Sequence, residues 1–103
     1  MNEEKKQYLS LYLLQHAKIH RLNEMIYENP ARRQEYLRLI EEANEIRFQI
    51  EAKIKQVDGG VLTELLYLKY VCGKTLLEIS YILNYSLRHT ERLHIKALKQ
   101  FKM

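Results

Sequence analysis

Two adjacent glycines, Gly59 and Gly60, interrupt a chain that otherwise has almost nothing to stop a helix. Gly73 is the only other glycine and Pro30 the only proline in 103 residues. A chain so poor in breakers, with apolar residues recurring every three to four positions, is expected to be all-α. Asp58-Gly59-Gly60 then divides it into residues 1–58 and 61–103.

The first segment reads as two long helices. Asn2 is placed to cap the first, with Glu3 and Glu4 in its first turn. Tyr8, Leu11, Tyr12, Ile19, Leu22, Met25 and Ile26 then form its seam. Asn29-Pro30 ends that helix and suits the start of the next, with asparagine as N-cap and proline at the first helical position. Tyr36, Leu39, Ile40, Ala43, Ile46, Ile50, Ile54 and Val57 follow at close to heptad spacing. A short connection between helices of this length predicts a coiled-coil-like antiparallel hairpin. The same seams, over residues 8–57, could instead pair between two copies in a homodimer, and periodicity does not choose between the two.

The second segment reads as three shorter helices. Val61 to Val71 is the first, closed by Gly73. Thr75-Leu76-Leu77-Glu78 has the spacing of a capping box and opens a brief helix that ends near Leu83. Asn84-Tyr85 makes a turn, and Ser86 caps a third helix over Leu87 to about Phe101. A short helix, a tight turn and a longer basic helix make up a helix-turn-helix, whose second member enters the DNA major groove. At 100° per residue, Ser86, Leu87, Thr90, Leu93, His94, Ala97, Leu98 and Phe101 fall on one side of the last helix. Arg88, His89, Arg92, Ile95, Lys96 and Lys99 fall on the other. Small Ser80, beside Leu76, Ile79 and Leu83, should let the two helices cross closely.

Charge follows the same division. Residues 1–60 carry ten basic and ten acidic side chains, and residues 61–103 carry seven and three, so the whole net charge of +4 lies in the second segment. That is the electrostatic footprint of a polyanion-binding element. Arg88, His89 and Arg92, near the start of the last helix, are placed for base edges. Lys96, Lys99 and Lys102 are placed for phosphates, together with Lys74, Tyr85 and the helix starts at Thr75 and Ser86.

Leu66-Tyr67-Leu68-Lys69-Tyr70, Gly73 to Ser80, Leu83-Asn84-Tyr85-Ser86 and Lys96-Ala97-Leu98-Lys99 resemble the region-4 helix-turn-helix of sigma factors. The segment is also similar to small phage late-transcription regulators of the ArpU and RinA type. This resemblance covers about 43 residues, 61–103. It implies double-stranded promoter or operator DNA as partner, transcription control in a bacterial cytoplasm as role, and, in the manner of region 4, RNA polymerase or another regulator as a second kind of partner. Exposed Ile95 and the charged hairpin motivate that protein-binding alternative.

Other features carry less. His16 and His20 share a helix face, yet no cysteine or placed acid completes a metal site. His94 is expected to be a partly buried, hydrogen-bonded histidine, and lone Cys72 a small buried residue that allows no intrachain disulfide. Most of the eight tyrosines fall at seam or core positions, Tyr85 excepted. No phosphate-binding glycine loop, nucleophile elbow or zinc-protease motif occurs, so neither catalysis nor a cofactor is expected. No apolar run approaches membrane-spanning length, and Met1-Asn2-Glu3-Glu4 lacks the pattern of a signal peptide, which predicts a protein that stays in the cytoplasm.

Overall fold

The structure is a computed structural model and describes residues 2–103. Helix α1 spans Asn2–Glu28 and α2 Arg33–Lys55, joined by a 3-10 turn over Pro30–Arg32. Helix α3, Gly60–Leu66, runs into a wide π-helical turn over Tyr67–Val71. Helices α4, Leu76–Leu83, and α5, Leu87–Gln100, complete an all-α architecture.

Helices α1 and α2 pack antiparallel, as three cross-hairpin pairs show. The Tyr12 hydroxyl donates to Glu51 Oε1 over 2.5 Å, the Arg47 guanidinium lies 3.2 Å from His16 Nδ1, and Lys53 Nζ sits 4.6 Å from the centre of the Tyr8 ring. Tyr12, Leu22, Tyr36, Ala43 and Ile50 are buried along the seam, so each helix covers its partner within one chain. Burial, then the bond to Glu51, pushes the Tyr12 hydroxyl up to about 12, which keeps it a neutral donor.

Helix α1 also buries a second face. Leu9 and Tyr12 share one core with Ile50, Ile54 and Val57 of the α2 end, Leu62, Leu66 and Tyr70 of the next segment, and Ala97, Leu98 and Phe101. The hairpin therefore does not stand apart from the three-helix segment. Its open end forms one wall of that segment's core, within an elongated molecule of 51 × 25 × 21 Å.

Several local expectations are corrected. Asn29 makes no side-chain cap; its carbonyl accepts from the Arg32 amide at 3.2 Å, so a backbone turn serves where a side chain was expected. Asn2 is itself helical, the first described residue of α1, and not a cap ahead of it. Helix α2 stops at Lys55, and Val57 is buried in the turn beyond it, where Thr63 Oγ1 donates to the Val57 carbonyl at 2.7 Å. The helix read as continuous from Val61 to Val71 widens instead, with the Cys72 amide donating five residues back to Tyr67. Tyr70 points into the core from that wide turn, while Cys72 lies past its end and is exposed, not buried.

Candidate nucleic-acid interface

Three local devices fix the two ends of α4 and the start of α5. The capping box forms: Thr75 Oγ1 accepts from the Glu78 amide at 3.1 Å, and Glu78 Oε1 accepts from the Thr75 amide at 3.0 Å. Those bonds, the backbone amide of Thr75 first, hold the Glu78 carboxyl below its ordinary range. Asn84 then adopts the left-handed conformation, φ 60°, a geometry asparagine tolerates better than most side chains. The Tyr85 amide closes the turn on the Ser80 carbonyl at 2.9 Å. Finally, Ser86 Oγ accepts from the His89 amide at 3.1 Å and starts α5. Ser80 is buried where the helices cross, its hydroxyl satisfied by the Leu77 carbonyl at 2.6 Å.

Helix α5 has two chemically distinct faces. Thr90, His94, Ala97 and Leu98 are buried and Leu93 is half-buried, while Arg88, Arg92, Ile95, Lys96 and Lys99 are exposed. Among the described residues, none of these four cations has a carboxylate within 4.0 Å. Glu91 is the single acid on the helix. At 1.5 Å per residue the 14-residue helix is about 21 Å long.

Three members of the expected set, His89, Lys74 and Thr75, differ in setting, as does Leu87. His89 is half-buried, its ring edge-on to Tyr85 with centroids 4.9 Å apart, so the pair stands together at the start of α5 beside Ser86. Leu87, expected on the packing side, is 41% exposed. Lys74 and Thr75 belong to a separate cleft, shared with Lys6, Lys69 and His94, which meets α5 on its packing side.

His94 is buried as expected, and Tyr70 Oη lies 2.7 Å from its Nε2. Burial, then the charges of Lys69 and Lys6, push the imidazole down to about 4, and burial pushes the Tyr70 hydroxyl up to about 12. Both groups are therefore neutral near pH 7 and share one hydrogen bond. His16 and His20 are engaged separately, one with Arg47 and the other with Glu24 at 3.3 Å.

One contact that fixes the interface could not be read from spacing. Lys5 Nζ donates to the Leu98 carbonyl at 2.8 Å and to the Lys99 carbonyl at 3.3 Å. A cation on the last free carbonyls of α5 satisfies orphan acceptors and complements the negative end of the helix dipole. It ties the start of the hairpin to the end of the basic helix.

Comparison with protein-family models, with curated proteins and with solved structures returns no significant match. No helix among the described residues is long and apolar enough to cross a membrane.

Proposed function

We propose that the chain is a sequence-specific DNA-binding regulator of transcription, of phage or mobile-element type, with α5 seated in the major groove. The observation that carries this reading is the separation of faces on α5, where exposed Arg88, Arg92, Lys96 and Lys99 lie opposite a buried apolar stripe. The B-DNA major groove, about 12 Å wide, admits a helix of this size. Arg88 and Arg92 can each bond bidentately to a guanine, and His89 faces the same groove beside Tyr85. Lys96, Lys99 and Lys102 meet phosphates along the groove wall, as the Ser86 end of α5 does at the other strand. The hairpin supports α5 from behind through Lys5 and the shared core.

Selection from a randomised duplex pool tests the reading. Enrichment of one motif, lost in Arg88→Ala and Arg92→Ala, is expected; retention of no DNA at all would contradict it.

A second reading has its own observation. Leu77, Tyr81 and Ile82 on the outer side of α4 are 50%, 77% and 53% exposed, and Ile95 on α5 is 49% exposed. Exposed apolar side chains on this scale favour contact with RNA polymerase or another regulator. Recovery of such a protein without DNA, surviving Arg92→Glu and lost in Tyr81→Glu, would establish that role in place of DNA reading.

A further inference from the structure

A cleft of about 640 Å³ opens where α1, the turn after the π-helical segment and the packing side of α5 meet. Three lysines from different places in the chain line it: Lys6 from α1, Lys69 from the π-helical turn and Lys74 from the loop before α4. Among the described residues, no carboxylate lines it. Glu3 reaches Lys6 at 3.5 Å while 79% exposed, and an exposed pair of that kind holds its partner weakly; Glu78, bonded within the capping box, is near enough to Lys74 to feel its charge. Leu13 and Leu76 supply apolar wall, and Thr75 and Ser10 supply hydroxyls. His94, 5% exposed, also lines the cleft, with its Nε2 engaged by Tyr70.

We propose that this cleft binds a small organic phosphate, whose dianionic group meets Lys6, Lys69 and Lys74 while a compact apolar part packs on Leu13 and Leu76. A phosphate monoester carries close to two negative charges and three strong acceptor oxygens, which suits three ammonium groups flanked by hydroxyls. The DNA backbone is the other source of phosphate. It fits less well, because the cleft meets α5 at His94, roughly 160° around the helix from Arg92 and Lys96 at 100° per residue. A duplex lying on the basic stripe is thus on the opposite side of α5. Since the cleft is walled by both the hairpin and the helix-turn-helix, its occupant would bridge them. The inference does not rest on the DNA reading.

Phenyl phosphate and inorganic phosphate, titrated into the full chain without DNA and followed by amide chemical shifts, provide the test. Saturable shifts at Gly73, Lys74 and Thr75 are expected, with phenyl phosphate the tighter ligand. Lys6→Gln with Lys69→Gln should weaken it at least about tenfold, and each single substitution, the safer variant for folding, should weaken it measurably. In a parallel arm the double variant should leave affinity for a selected DNA duplex within about twofold, because neither lysine lies on the basic stripe. Absence of saturable shifts, shifts confined to residues 88–99, or indifference to both lysines would overturn the proposal. A tenfold loss of DNA affinity in the double variant would assign the cleft to the DNA backbone and overturn it as well.

Discussion

The Tyr70 hydroxyl lies 2.7 Å from Nε2 of His94 inside the packing between the π-helical turn and α5. Burial, then the charges of Lys69 and Lys6, hold the His94 imidazole neutral down to about pH 4. The unfolded chain takes up this proton near pH 6.5. Stability from this group is therefore fully present above about pH 7, falls as pH drops from 6.5 towards 4, and levels off below that. The loss by pH 5 is about 2 kcal/mol. Urea unfolding at pH 7, 6 and 5 should show it. His94→Gln, whose amide can still bond to Tyr70, should flatten the curve in that interval. The paired carboxylates of Glu35 and Glu78, held below their ordinary range, titrate only at lower pH.

Lys5 and the end of α5 are 93 residues apart in sequence and joined by one ammonium. Lys5→Ala leaves the Leu98 carbonyl without its partner and removes the cation at the helix end. The expected cost is about 1 kcal/mol. Faster amide exchange at Lys99, Gln100 and Phe101 should accompany it. Unchanged exchange there would show that the contact contributes nothing to holding α5.

Gly73 turns the chain from the π-helical segment into the α4 cap with φ 75°. A Cβ built there would meet Leu13 at 3.5 Å, an ordinary contact, so any penalty comes from the backbone. Gly73→Ala should cost about 1–2 kcal/mol. Thr75→Ala, which removes one half of the capping box, should cost about 1 kcal/mol. Thermal unfolding of both variants measures these differences.

The features legible in the sequence were those whose cause lies within a few residues. Thr75 and Glu78 form the capping box, Gly73 and Asn84 take left-handed turns, and Ser86 caps α5, because each depends on a local backbone geometry that few residue types satisfy. The two faces of α5 were legible for the same reason, through helical periodicity, apart from Leu87, which is exposed, and His89, which is half-buried against Tyr85. The seams of α1 and α2 gave the hairpin, but not the second buried face of α1 at Leu9, since that face joins a core with Leu62, Leu66, Tyr70, Ala97, Leu98 and Phe101, far along the chain. Lys5 and the lysine cleft were hidden on the same ground. Cys72 misled because burial was inferred from residue type, whereas the π-helical turn places it outside.

The salt dependence of DNA binding tests the central claim most directly. With a selected duplex titrated between about 50 and 200 mM salt, log Kd should rise linearly with log salt at a slope of about 3, from phosphates met by Lys96, Lys99 and Lys102. Lys96→Gln should lower the slope by about one without altering sequence preference, whereas Arg92→Ala should relax preference at one base pair and cost about 1–3 kcal/mol on the preferred site. A slope near zero, or one that Lys96→Gln leaves unchanged, would contradict the assignment of α5 as the DNA-reading helix.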